Sequence, residues 1–148
     1  MNMPVDLMQK TGLELLQAML QGELPPPTMA ETMGLSLVHA EEGRAVFHAR
    51  PRGSHLNALG TVHGGFAATV LDSVTGCAVH TLLPAGAGYG TVDLNVKMLR
   101  PVPTDKGDLV AEGRVIHLSG RLGVAEGTLK DADGVLYAHG TATCMIRR

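Results

Sequence analysis

Aromatic residues are scarce in this chain, because Trp is absent and Phe, Trp and Tyr together make up only 3% of its 148 residues. The core must therefore be built mainly from Val, Leu, Ala and Met, and the 19 glycines favour close approach of backbone segments. Cysteine is also scarce, with only Cys77 and Cys144 present, each inside an apolar stretch. We expect two buried thiols rather than a disulfide or a metal site, as is typical of a reducing compartment.

Long apolar runs and blocks of charge are missing as well. No stretch approaches the roughly 18 apolar residues of a membrane span, and the amino terminus lacks the pattern of a signal peptide. The 12 Lys and Arg residues are scattered along the chain, and the net charge is -2. The basic patch of a nucleic-acid-binding protein is therefore absent. We expect a cytoplasmic protein that binds neither nucleic acid nor membrane.

The length suits one domain spanning residues 1–148, with an N-terminal helix and a proline-rich connection in residues 1–28. Apolar residues recur at helical spacing from Asp6 to about Leu20, and Asp6 and Gln9 offer a capping pair. Three consecutive prolines starting at Pro25 end this predicted helix.

Six segments have the polarity pattern of β-strands. The predicted strands are 35–39, 44–50, 91–98, 108–118, 121–130 and 135–146. Ser119-Gly120 and the turn at 131–134 are good hairpin signals, and both are too short for parallel crossovers. The last four strands are therefore predicted to form an antiparallel meander.

One long internal helix is predicted from His63 to Thr81. Its apolar face is predicted to contain Phe66, Ala67, Val70, Leu71, Val74, Cys77 and Ala78. Its other face is predicted to be small and polar, with Gly65, Ala68, Thr69, Asp72, Ser73 and Gly76. An antiparallel sheet curled around this central helix would give an α+β fold.

The candidate chemistry is concentrated at the start of this helix. The chain has no phosphate-binding loop with its Lys, no G-x-S-x-G elbow and no paired His or Cys at metal spacing. What remains is N-A-L-G-T-V-H-G-G at 57–65, followed by Asp72. Glycines at a helix start leave N–H groups free, and the helix dipole adds positive charge that suits a developing oxyanion. Asp72 has a plainer explanation as part of a solvated helix face, and His63 as an ordinary helix-start residue.

The pattern N-x-x-G-x-x-H-G-G-x-x-x-x-x-x-D at 57–72, with T-V-D-L-N from Thr91, resembles the signature of hotdog-fold acyl-CoA thioesterases of the phenylacetate-degradation (PaaI-like) type. The resemblance extends from about Met29 to the end of the chain. It implies hydrolysis of an acyl-CoA thioester without a metal or redox cofactor, since coenzyme A is part of the substrate.

The resemblance also implies a role for each matching residue. Asp72 would be the general base or the nucleophile, and both uses stay open. Gly64 would donate its backbone N–H to the thioester carbonyl, while Asn57 and His63 would order that end of the site. Thr91 falls where such enzymes place a Ser or Thr that positions the attacking water.

Helix geometry argues against a site within one subunit. Gly64 and Asp72 on one straight helix lie about 12 Å apart along its axis, at 1.5 Å per residue. Both must come within roughly 3 Å of one reacting group. We therefore expect a homodimer with two shared sites, and the resembled enzymes are commonly homotetramers.

Substrate contacts are harder to predict. Candidates for the acyl slot are Met29, Met33, Leu59, Phe66 and Met98, all of which could equally be core. Candidates for binding the CoA phosphates are Arg100, Arg121 and Lys130, for which surface charge is the simpler explanation. The preferred acyl group stays open among aryl-acetyl, hydroxylated aryl and medium-chain thioesters.

Two other functions are compatible with the same fold. A hotdog hydratase or dehydratase would also combine a carboxylic residue, a His and a helix amide. A non-catalytic acyl-CoA sensor would bind the thioester without releasing thiol, although such regulators usually carry a DNA-binding segment that residues 1–28 do not offer.

Overall fold

The computed structural model describes residues 5–148, so residues 1–4 of the predicted N-terminal segment lie outside the described residues. Within this range the helices are α1 (Val5–Met8), α2 (Gly12–Leu20), α3 (Thr28–Met33) and α4 (Gly64–His80). The strands are β1 (Leu35–Glu41), β2 (Arg44–Ala49), β3 (Gly88–Met98), β4 (Leu109–Ser119), β5 (Leu122–Lys130) and β6 (Leu136–Arg147). None of the helices in this range is long and apolar enough to cross a bilayer.

All six strands form one antiparallel sheet in the order β1-β2-β4-β5-β6-β3. The predicted antiparallel arrangement is confirmed, including the hairpins β4–β5 and β5–β6, and β1 and β2 form a third hairpin. The predicted four-strand meander is wrong for β3, which pairs with β6 and not with β4. Residues 99–108, which include two prolines, are long enough to carry the chain back across the sheet to β4. As a result β3 lies at one edge of the sheet, with β1 at the other.

The N-terminal segment differs from its prediction. One helix was expected from Asp6, but the chain breaks before Thr11, which caps α2. The Thr11 hydroxyl accepts from the Glu14 N–H at 3.2 Å, and the Glu14 carboxylate accepts from the Thr11 N–H at 2.9 Å. This capping box satisfies two otherwise unpaired groups, so α2 starts at Gly12. The short helix α3 was not predicted, and it ends at Met33, followed by the C-cap Gly34, whose φ of 66° suits glycine.

The central helix α4 has the predicted position, with His63 as its N-cap and Thr81 as its C-cap. It lies on a row of three glycines that are in register across the sheet: Gly113 pairs with Gly127, and Gly127 pairs with Gly140. A Cβ at Gly113 would overlap the carbonyl oxygen of Val74, and one at Gly127 would lie 3.1 Å from the Thr75 methyl. The glycines therefore let the helix sit directly on the sheet backbone.

The buried face of α4 is wider than predicted. Phe66, Val70, Leu71 and Val74 are buried as expected. Because the sheet curls around the helix, Thr75, Gly76 and Val79 are buried as well. The Thr75 hydroxyl is satisfied by the Leu71 carbonyl at 2.7 Å. Gly76, which was predicted to lie on the small, polar face, is buried because the ring of Tyr89 covers it.

Both cysteines are free thiols. Cys144 is buried in the core, whereas Cys77 is only partly buried beside Tyr89. Burial raises the pKa of the Cys77 thiol to about 12, so it stays protonated at neutral pH.

Candidate active site

The start of α4 presents an unpaired backbone N–H. The Nδ1 atom of His63 accepts a hydrogen bond from the Gly65 N–H at 2.8 Å, and the His63 carbonyl accepts from Phe66 at 2.9 Å. Among residues 5–148, nothing accepts a hydrogen bond from the Gly64 N–H. His63 thus caps two neighbouring positions and leaves Gly64 free, where the helix dipole favours a negative oxygen.

Asn57 acts on the loop that leads into this helix. Its side-chain oxygen accepts from the N–H groups of Leu59 at 3.0 Å and Thr61 at 3.2 Å. Its own N–H donates to the Thr61 carbonyl at 2.8 Å. Asn57 therefore closes the turn at 57–61 and fixes the approach of the chain to Gly64.

His55 was not singled out in the sequence, yet it anchors the same loop. Its Nδ1 accepts from the Arg52 N–H at 2.9 Å, and its Nε2 lies 2.7 Å from the Thr32 carbonyl. Because Nδ1 is an acceptor, we assign the proton to Nε2, which donates to Thr32. The ring centroids of His55 and Phe66 are 5.1 Å apart, and His55 is buried. The loop is thus tied to both α3 and α4.

Asp72 lies midway along α4 and is partly exposed. The hydroxyl of Thr91 on β3 donates to its Oδ1 at 2.7 Å, while its Oδ2 has no hydrogen-bond partner within residues 5–148. The pairing of β3 at the sheet edge brings Thr91 against the helix. One carboxylate oxygen is therefore held by the protein, and the other is available to a water or a substrate.

Asp72 and Gly64 open into different cavities of the chain. Asp72 and Thr91 line a cavity of about 520 Å³, here called the α4–β3 cavity. Gly64 lines a second cavity of about 320 Å³ together with His63, Met98 and Arg100. This separation agrees with the roughly 12 Å between the two residues along the helix axis.

The predicted acyl-slot residues are dispersed. Met29 lines the α4–β3 cavity, and Met98 lies in the cavity of Gly64. Met33 and Phe66 line a further cavity beside His63, where Phe66 is mostly core, and Leu59 is 90% exposed. The structure does not bring these five side chains together.

Of the predicted phosphate-binding residues, Arg100 shares the cavity of Gly64. Arg121 and Lys130 are exposed and line neither this cavity nor the α4–β3 cavity. Across residues 5–148, no three His, Cys, Asp or Glu side chains are grouped as metal ligands would be. Independence from a cofactor stays a prediction.

Two polar residues of the α4–β3 cavity were missed in the sequence. His80 lies two helical turns beyond Asp72, and Tyr89 precedes Thr91 by two residues on the same strand. Their ring centroids are 5.2 Å apart. Burial lowers the pKa of His80 and raises that of Tyr89, which keeps both neutral at neutral pH. The spacing of residues 72, 76 and 80 at successive turns of one helix could have revealed His80.

The class of this protein follows from its fold, a central helix inside an antiparallel sheet, and from its sequence. Residues 59–138 match the sequence model of the thioesterase superfamily. The chain therefore belongs to the thioesterase superfamily and has the hotdog fold, and the activity of this class is thioester hydrolysis.

Individual relatives agree with this assignment. The human acyl-coenzyme A thioesterase 13 is 30% identical over 110 residues, which cover 74% of this chain and 77% of the relative. The crystal structure of a phenylacetic acid degradation-related protein of Ralstonia eutropha is 33% identical and has a TM-score of 0.80, covering 88% of this chain and 98% of that one. The PaaI protein of E. coli, 18% identical with a TM-score of 0.78 over 93% of this chain and 97% of its own, shares the fold.

Proposed function

We propose that the protein hydrolyses acyl-CoA thioesters to a free acid and CoA, with Asp72 as general base or nucleophile and the Gly64 N–H polarising the carbonyl. The observation that carries this proposal is the 2.7 Å hydrogen bond from Thr91 to Asp72, at the wall of a largely apolar cavity. A carboxylate held through one oxygen beside an apolar space suits an acyl group bound next to a reacting carbonyl. The human relative named as an acyl-CoA thioesterase supports the choice of CoA thioesters.

Two routes are compatible with this geometry. As a general base, the free oxygen of Asp72 takes a proton from a water whose oxygen attacks the carbonyl carbon. As a nucleophile, that oxygen attacks the carbon itself and forms an anhydride, which water then opens. In both routes the carbonyl oxygen becomes negative against the Gly64 N–H, the carbon–sulfur bond breaks, and CoA leaves as a thiolate that takes up a proton.

The site is proposed to be shared between two subunits. Residues on the open face of α4 are small and partly or fully exposed: Gly65, Ala68, Thr69 and Ser73. Two copies of α4 could therefore approach closely in antiparallel fashion. Because Ala68 lies midway between Gly64 and Asp72, a two-fold axis beside Ala68 would bring Gly64 opposite the partner's Asp72.

The edge of the sheet supports the same assembly. Strand β3 has a neighbour only on the β6 side within the described chain, and its Val92 is 62% exposed. Pairing of β3 with its copy would cover this edge and bring the two α4 helices together. A homodimer would then contain two equivalent sites.

Arg100 is the proposed contact for the CoA phosphates. It shares a cavity with Gly64, whereas Arg121 and Lys130 do not. With the thioester sulfur held near Gly64, the CoA moiety would extend into this cavity. There the guanidinium of Arg100 can bind a phosphate through two hydrogen bonds.

The experiment that tests the function is a thiol-release assay over a panel of acyl-CoAs. The Asp72→Asn variant lacks the proposed base or nucleophile, so its kcat should be about 10²- to 10⁴-fold lower than that of the wild type. Asp133→Asn, in the exposed β5–β6 turn, is the matched control and should act as wild type.

Three results would contradict the proposal. An Asp72→Asn variant with the wild-type rate would remove the assigned role of Asp72. Hydration of an enoyl-CoA without thiol release would indicate a hydratase instead. Tight binding of acyl-CoA without any turnover would indicate a sensor.

A further inference from the structure

The α4–β3 cavity extends well beyond Asp72. Asp72 and His80 both line it, and they lie on the same face of α4, about 12 Å apart along the helix axis. This distance is comparable with an extended acyl chain of medium length. The space alongside α4 is therefore longer than a short acyl group needs.

The far end of this cavity contains hydrogen-bonding groups without protein partners. Neither ring nitrogen of His80 has a hydrogen-bond partner within residues 5–148. The Tyr89 hydroxyl, which lies beside Gly76, likewise makes no hydrogen bond of ordinary geometry within these residues. A neutral imidazole offers one donor and one acceptor, and a phenol offers both. Both side chains can therefore form hydrogen bonds with a ligand in this cavity.

The positions of these two side chains are fixed by glycines. At Gly76, a Cβ would lie 2.8 Å from the Tyr89 ring, so only glycine lets Tyr89 lie against the helix. At Gly12, on α2, a Cβ would overlap the His80 carbonyl oxygen and lie 2.6 Å from the His80 ring. Helix α2 therefore packs directly on His80 and closes this end of the cavity.

Much of the enclosing wall comes from the N-terminal segment. Leu16 and Met19 of α2 and Met29 and Ala30 of α3 line the cavity. All four precede residue 59, where the match to the superfamily begins. These four wall residues thus lie outside the stretch that matches the superfamily model.

We infer that His80 and Tyr89 are specificity residues that bind a hydroxyl at the distal end of a medium-length acyl chain. The inference rests on the proposed function, because it places the thioester beside Asp72 and the distal hydroxyl within reach of the polar atoms of both rings. The hydroxyl donates to one ring nitrogen of His80 and accepts from the Tyr89 hydroxyl. A chain ending in a methyl group would leave both side chains unpaired.

The test compares octanoyl-CoA with ω-hydroxyoctanoyl-CoA in the thiol-release assay. The wild type should favour the hydroxylated substrate in kcat/KM by about five- to tenfold, the worth of one or two hydrogen bonds. Tyr89→Phe, which removes one oxygen atom, and His80→Leu should each reduce this ratio toward one. His80→Gln keeps hydrogen-bonding capacity and should retain part of the preference. His117→Leu, on an exposed stretch of β4, is the matched histidine control and should keep the wild-type ratio.

The ratio separates this inference from the proposed function. Release of thiol from both substrates at equal kcat/KM in the wild type, or a preference unchanged in Tyr89→Phe and His80→Leu, would overturn the inference and leave the hydrolase intact. If His80→Leu does not fold, Tyr89→Phe decides alone. No thiol release from any acyl-CoA would overturn the proposed function and this inference together.

Discussion

At the scale of single residues, the contact between Thr91 and Asp72 is central because it joins a strand to the middle of a helix. The hydroxyl donates to Oδ1 at 2.7 Å, a length typical of a hydrogen bond to a charged acceptor. Without it the carboxylate would be free to rotate about its side-chain torsions. The contact therefore fixes which carboxylate oxygen meets the reacting group.

Replacing Thr91 tests this positioning role. Thr91→Val keeps the shape of the side chain and removes the hydroxyl, so kcat should fall by about tenfold or more, since hydrogen bonds to charged groups contribute about 1.5–3 kcal/mol. The measurement is kcat and KM for the best acyl-CoA of the panel. Thr91→Ser retains the hydroxyl and should stay close to wild type, and equal rates for Val and Ser would argue against the role.

The sequence identified some residues of the candidate site and missed others. Asp72, Gly64, Asn57, His63 and Thr91 were selected through the family pattern, and their catalytic roles stay predictions. Periodicity alone could not bring Thr91 to Asp72, because the two residues are on different elements and meet only through the β3–β6 pairing. His80 was within reach of the same helical spacing that placed Asp72, but histidine on a helix has many ordinary explanations.

At the scale of elements, α4 was predicted to within one residue at each end because its capping residues and apolar face agree. The break before α2 was missed although its capping box, Thr11 with Glu14, is visible in the sequence. The place of β3 could not be read locally, because its strand pattern is the same whichever neighbour it pairs with. That choice depends on the long connection at 99–108 and on the packing of the whole sheet.

The glycine row beneath α4 leads to a prediction about stability. Gly113→Ala would push a methyl group into the Val74 carbonyl and lift the helix from the sheet, which should lower the free energy of unfolding by about 1–3 kcal/mol. Urea or thermal unfolding followed by circular dichroism measures the change. Gly53→Ala is the control, because its added methyl meets no atom within 4 Å. Equal stability of the two variants would show that the helix does not need this close approach.

At the scale of the whole molecule, the question is whether one chain can complete a site. Gly64 and Asp72 open into separate cavities of the chain, so the proposed chemistry requires a second copy. Neither composition nor periodicity could indicate this, whereas the rise per residue of a helix could. The shared site stays a prediction, whereas the sheet order is a feature that the structure shows and the sequence did not predict.

Mixing two inactive variants tests the shared site. Asp72→Asn chains lack the carboxylate, and Asn57→Ala chains lack the turn that leads to Gly64, so each alone should be inactive. When equal amounts are unfolded and refolded together, half of the dimers should be mixed, and each should contain one intact site. Activity should recover to roughly a quarter of the wild-type value. No recovery, with mixed dimers verified by mass spectrometry, would contradict sharing, and each variant refolded alone is the control.

The position of β3 has a further consequence for how the protein responds to change. Strand β3 holds Tyr89 and Thr91 against α4. Within the described chain, β3 is hydrogen-bonded to β6 alone. Border strands fray before interior ones. Substitutions in β6 that weaken this ladder, away from Cys144 and its partner Thr91, should therefore lower turnover by loosening β3 and its pairing with the copy in the proposed dimer, while the interior of the fold stays intact. The turnover rate could therefore change during evolution through substitutions at the β3–β6 pairing, without changes to the residues that line the α4–β3 cavity.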